Sequence, residues 1–88
     1  MIKSQYGSIE HNGQVLALEC QAYADDDPRD VKRTVYCAPA HDGAGNRYEV
    51  FWGLKPEIEA LPPDERPEEE SLYCDWADPE RVELIESA

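Results

Sequence analysis

The stretch Arg47-Tyr48-Glu49-Val50-Phe51-Trp52-Gly53-Leu54 sets the terms for everything else in this chain. Tyr48, Val50, Trp52 and Leu54 alternate with Arg47, Glu49 and Phe51, the period-2 pattern of a strand with one buried face. It holds one of two tryptophans, the only phenylalanine and one of five tyrosines. Aromatic side chains bury the most area per residue. A chain of this length buries only roughly 60–65% of the surface its unfolded form exposes, so its core is thin. Such a core is assembled around the aromatic strand, with room for a sheet and a helix or two but not for a deep pocket as well. Residues 1–88 are read as one domain.

Two hairpins follow from local turn chemistry. Asn12-Gly13 is the signature of a type I′ turn, which needs positive φ at both central residues. It joins residues 2–10 to residues 14–24 in a register that puts Ile9 opposite Leu16 and Gly7 opposite Leu18. One face then reads Ile9, Leu16, Leu18, Cys20 and Ala22, and the other Tyr6, Ser8, Glu10, Val15, Ala17 and Glu19. Asp25 to Asp30, four acids with Pro28, reads as a loop. Residues 32–40 resume the strand pattern, and a five-residue loop from Asp42 to Asn46 returns the chain. Tyr36 then faces Trp52, Ala38 faces Val50 and Ala40 faces Tyr48, small opposite large. Cys37 and Phe51 fall on the other face, where the C-terminal segment is expected to give partial cover. Pro39 lacks a ladder donor and predicts a bulge or an edge at that point.

Beyond residue 55 the composition changes. Pro56 to Leu61 suits one helical turn, with proline first and Glu57 beside the N-terminus. Residues 62–70 read as a linker of three prolines and a run of carboxylates. Leu72, Tyr73 and Trp76 dock on the sheet. Asp78-Pro79-Glu80 reads as a helix start, followed by Val82 and Ile85 on one edge. The expected fold is mainly β (α+β). A four-stranded antiparallel meander of two hairpins spans residues 1–55, and an acidic segment with short helices, residues 56–88, packs on it.

No stretch approaches the ~20 apolar residues of a membrane span, and the N-terminus carries no apolar signal region, which predicts a cytoplasmic protein. Cys20, Cys37 and Cys74, an odd count, read as reduced thiols. Their spacing, with His11 and His41, matches no zinc module. The Asp25–Asp30 run lacks the glycine and closing glutamate of a calcium loop. Cys37 with His41 is the sole pairing of nucleophile and base, and nothing is placed to orient the histidine. No phosphate loop, HExxH or serine elbow is present. The expectation is therefore no catalytic residue, no metal and no cofactor.

What stands out is the partition of charge. The net charge is −12. Residues 1–55 carry 8 acids and 6 bases, whereas residues 56–88 carry 12 acids and two bases, Arg66 and Arg81. Direct binding of nucleic acid or of an anionic membrane is disfavoured by repulsion. A basic protein is the partner consistent in sign. Glu68, Glu69, Glu70, Tyr73, Asp75, Trp76, Asp78, Glu80 and Glu83 combine carboxylates with aromatic contact area, so they are the candidate partner-binding residues. In size, acidity and build, through the acidic Glu57–Glu86 stretch and the two hairpins, the chain resembles small inhibitors encoded by phages and mobile elements, notably anti-CRISPR proteins and other DNA mimics. The resemblance implies an inhibitor of a nuclease or a CRISPR surveillance complex, as monomer or homodimer, and assigns no residue a role. The alternatives are an immunity or antitoxin protein that neutralises a basic toxin, and a non-enzymatic accessory interaction module.

Overall fold

The computed structural model describes residues 6–88. They form an open antiparallel sheet of six strands: β1 (Ser8–His11), β2 (Gln14–Leu18), β3 (Tyr23–Asp27), β4 (Asp30–His41), β5 (Arg47–Gly53) and β6 (Arg81–Glu86). The order across the sheet is β1-β2-β4-β5-β6, and β3 lies beside β4 on the flank shared with β2. Residues 54–80 cross one face as a lap. The lap carries a short helix, α1 (Pro56–Glu59), and 3₁₀ turns at Pro63–Glu65 and Glu70–Leu72.

Both hairpin registers are those the turns predict. Asn12 and Gly13 have φ of 51° and 78°. Ile9 pairs with Leu16, and the Leu18 amide donates to Gly7 at 3.0 Å. The expected partners of the first hairpin before Tyr6 lie outside the described residues. In the second hairpin Tyr36 faces Trp52, Ala38 faces Val50 and Ala40 faces Tyr48. Asp42 organises its loop: it accepts from the amides of Ala44 (2.9 Å) and Asn46 (3.0 Å), the Asn46 side chain (2.8 Å) and the Tyr48 hydroxyl (2.9 Å).

Four strands become six for two physical reasons. The second strand of the first hairpin does not run on from 14 to 24. It ends at Leu18 and restarts as β3 at Tyr23. Partners of β2 on β4 sum to 58 and those of β3 from Tyr23 to Asp26 to 60, so two extra residues are taken up between Leu18 and Tyr23. Pro39 stands at this break. Its carbonyl accepts from Glu19 at 2.8 Å, so its missing N–H, on the same side, faces the gap; β4 has a local edge there, as proline requires. Asp25, Asp26 and Asp27 are therefore strand, not loop. A proline and acids are tolerated because β3 pairs on one side only and Pro28-Arg29 forms the turn.

The second reason lies at the C-terminus. The expected helix after Asp78 is a strand, β6, which pairs with β5 from Phe51↔Arg81 to Arg47↔Glu86. Val82 and Leu84 satisfy period 2 as readily as Val82 and Ile85 satisfy a helical spacing. A helix this short gains little alone, whereas β5 offers an unpaired edge, and the ladder wins.

The main core lies between the sheet and the lap. Ile9, Leu16, Leu18, Tyr36, Ala38, Ala40, Val50 and Trp52 of the sheet meet Leu54, Ile58 and Cys74 of the lap, with Cys20, Ala22, Tyr48, Tyr73, Trp76 and Val82 around them. The opposite face buries Val35, Cys37 and Phe51. The lap leaves this second face open, and the partial cover expected from the C-terminal segment comes from Arg81 of β6. The Arg81 guanidinium lies 4.2 Å from the centre of the Phe51 ring.

Candidate functional site

The lap is pinned to the sheet rather than draped over it. The Glu80 amide donates to the Phe51 carbonyl at 2.8 Å, and Trp52 Nε1 donates to the Trp76 carbonyl at 3.1 Å; inside the lap, Lys55 donates its amide to Tyr73 at 2.8 Å. Within the lap, Tyr73 donates its hydroxyl to Pro67 (2.7 Å) and Trp76 its indole N–H to Ser71 (2.8 Å). Arg66 Nε donates to the carbonyls of Ile58 (3.0 Å) and Leu61 (3.1 Å), closing the proline-rich stretch. The Tyr36 hydroxyl donates to the Glu70 carboxylate. Burial and then this carboxylate hold the Tyr36 phenol above its ordinary pKa. Residues 62–70 are thus a linker in composition with fixed attachments at both ends.

The nine candidate residues separate into three sets. Glu68, Glu69, Asp75 and Asp78 are exposed on the lap. Tyr73 and Trp76 face inward and Glu70, though exposed, is tied to Tyr36: Tyr73 and Trp76 pack edge-on to Tyr36, with ring centres 6.2 and 5.5 Å away, and Trp76 is 5.3 Å from Trp52. Glu80 and Glu83 belong to the other face and are paired with cations. Arg33 makes two hydrogen bonds to Glu80, of 2.8 and 2.5 Å, and Arg81 Nε donates to Glu83 at 2.5 Å. The buried Asp27 carboxylate completes this network, 3.4 Å from both Arg33 and Arg81. The Arg29 amide, first, and the two arginines hold its pKa below the usual carboxylate range.

Both arginines of residues 56–88 are therefore engaged internally. Arg66 is held by lap carbonyls and Arg81 by Asp27, Glu83 and Phe51, so neither arginine forms an ion pair with the exposed acids Glu68, Glu69, Asp75 and Asp78. Fixed carboxylates on a packed surface project a negative potential that a partner meets as a patterned array.

Beside the lap lies an open groove of about 840 Å³. Tyr36, Trp52 and Leu18 line it from the sheet, and Glu68, Glu70 and Trp76 from the lap. The remaining walls are the start of β1 and residues Gln21–Ala24 at the break before β3. The pairing of Tyr36 with Trp52 is readable from the hairpin register. The groove is not, because it exists only where the lap stands off the interrupted β2–β3 flank.

Cys37 and Cys74 are buried, and burial raises both thiols to about 11. Cys37 and His41 sit four residues apart on one strand, about 13 Å by strand rise, too far for nucleophile and base. His41 Nδ1 is 3.9 Å from Glu19. Among the described residues no three His, Cys, Asp or Glu side chains converge as a metal site, and no helix is long and apolar enough to cross a membrane. Comparison with known protein families, with curated proteins and with solved structures found no match.

Proposed function

We propose that this protein is an acidic inhibitor that occupies the basic surface of a nucleic-acid-handling protein, in the manner of a DNA mimic or anti-CRISPR protein. The observation that carries the reading is the pinned lap with its uncompensated carboxylates, Glu68, Glu69, Asp75 and Asp78. A phosphate-binding channel is lined by cations that would otherwise hold DNA or RNA, and carboxylates held at defined positions compete for them. A nuclease or a CRISPR surveillance complex is the class of partner this chemistry fits. Glu80 and Glu83, neutralised by Arg33 and Arg81, contribute less to such a surface than their place in the acidic run implies.

The test is a salt-dependent capture. Immobilised protein should retain a nucleic-acid-handling protein from host lysate, release it with salt and lose it to duplex DNA. The variant Glu68→Lys/Glu69→Lys/Asp75→Lys/Asp78→Lys should keep its circular dichroism spectrum and bind the partner at least tenfold more weakly. Retention unchanged by the four reversals, or unaffected by DNA, counts against the proposal.

A second reading, an accessory interaction module, rests on β6. It is the outer strand at one end of the sheet, and Leu84 and Ile85 on it are more than half exposed. An exposed strand edge pairs readily with another strand. Leu84→Lys would abolish partner capture under this reading and leave it intact under the first.

A further inference from the structure

We propose that the groove between the lap and the interrupted β2–β3 flank is a receptor for a cationic side chain, an arginine presented by a basic protein segment. The inference deepens the inhibitor reading and rests on it for the identity of the partner, but the geometry stands on its own. Three aromatic rings meet in the groove at steep angles: Tyr36 to Trp76 at 89° and Trp52 to Trp76 at 63°. Tyr36 and Trp52 are themselves buried, so a group that enters meets the half-buried Trp76 ring, with Tyr6 and Tyr23, 44% and 47% exposed, on the walls. The face of an aromatic ring carries the negative part of the ring quadrupole, which attracts a guanidinium.

Charge points the same way. Among the described residues lining the groove, the charged side chains are Glu68 and Glu70, and no lysine or arginine is present. Glu70 is fixed by the Tyr36 hydroxyl, and both Glu68 and Glu70 are exposed to a group that enters the groove. A planar guanidinium stacks on an aromatic face and donates to carboxylates in a fork, so it uses both features at once. A neutral aliphatic side chain would use only the first, and an anion would be repelled by the second. The smaller hollow on the far side of Tyr36 includes Arg66 and lacks this complementarity.

The chain contains two tryptophans, Trp52 and Trp76, and both line the groove, so intrinsic fluorescence reports on it directly. The probes are acetyl-Ala-Arg-Ala-amide and the same peptide with citrulline, which keeps the shape and removes the charge. The arginine peptide should shift the emission saturably and bind at least tenfold more tightly than the citrulline peptide. Glu68→Gln/Glu70→Gln should reduce the preference to less than threefold, while Asp64→Gln/Glu65→Gln, on the lap away from the groove, leaves it unchanged. Equal binding of the two peptides, or no saturable shift, overturns the proposal. So does binding that appears only when residues 1–5 are removed, since it would assign the groove to the chain's own Lys3. Arginine selectivity without capture of a nucleic-acid-handling protein would retain the receptor and reject the inhibitor. Capture with DNA displacement but no arginine selectivity would do the reverse.

Discussion

Arg33 and Glu80 meet above Gly53, joined by hydrogen bonds of 2.8 and 2.5 Å between residues 47 positions apart. The pair ties the start of β4 to the start of β6 across the face the lap leaves open. It also explains why a glycine ends β5. A Cβ on Gly53 would stand 2.6 Å from Arg33 Nη2 and 2.9 Å from Glu80 Oε1, so the ion pair occupies the space a side chain would need.

The relationship predicts a measurable coupling. Both side chains are about one-third exposed, so solvent screening limits the pair to about 0.5–1 kcal/mol. A double-mutant cycle of Arg33→Ala and Glu80→Ala in urea should return that coupling. Gly53→Ala should lower it while changing overall stability little, because the displaced atoms are the ends of flexible side chains. A coupling unaffected by Gly53→Ala would show that the pair does not depend on the glycine.

Trp52→Phe tests how the lap is held. The substitution keeps an aromatic ring in the core and deletes the hydrogen bond from Nε1 to the Trp76 carbonyl. The expected loss is about 1 kcal/mol from the bond, with a further cost for the smaller ring. Trp52→Ala should cost about 3–5 kcal/mol. Amide exchange in residues 71–76 should accelerate more than exchange in β2 and β4. Uniform acceleration would mean that the lap and sheet open as one unit.

Acid sensitivity should come from Asp42 and Asp27. Hydrogen bonds hold both below the ordinary value of 3.8, led by the Asn46 side chain at Asp42 and the Arg29 amide at Asp27. A carboxyl whose pKa is depressed by folding contributes stability that is fully present above its unfolded pKa and lost as pH falls through the folded one. Stability should therefore decline below about pH 4. Asp42→Asn should be less stable than the parent at neutral pH, and the difference should shrink as pH falls through the folded pKa. Glu49 acts in the opposite sense. Burial raises it above 4.5, so its ionisation opposes folding at higher pH. Glu49→Gln should be more stable than the parent at pH 7 and match it in acid. Urea midpoints across this range decide both.

Thiol reactivity should rank Cys20 first. Cys37 and Cys74 are buried with thiols near 11, so at pH 8 only about one in a thousand is ionised. Cys20 is partly exposed. Alkylation of the native protein followed by mass spectrometry should modify Cys20 well before the other two. Early modification of Cys74 would mean that the lap opens under native conditions.

Much of the fold was legible where a single local rule decided. Asn12-Gly13 and the Asp42–Asn46 loop fix hairpin registers because turn geometry admits few alternatives, and the faces follow from period 2. The acidic run at Asp25–Asp27 misled because strand propensity describes an average environment. A one-sided partner and a buried, arginine-bound Asp27 override it. The last six strand residues misled because two periodicities fit them equally, and only the open edge of β5 distinguishes them.

Of the candidate site, the excess of carboxylates and the docking of Tyr73 and Trp76 could be read from the chain, whereas Leu72, expected to dock with them, is 48% exposed. Which acids remain free could not. Glu70, Glu80 and Glu83 differ from Glu68 and Glu69 only in what lies across from them: Tyr36, Arg33 and Arg81.

The sequence by itself determined the hairpin registers, the aromatic strand and the charge imbalance of the final third. Each depends on neighbours close along the chain or on simple counts. The tertiary structure alone decided that β2 breaks from β3, that the end of the chain joins the sheet, that the lap covers one face and that a groove opens beside it. Those outcomes depend on contacts between residues tens of positions apart, where an unpaired edge or an uncovered aromatic selects among local conformations of nearly equal free energy.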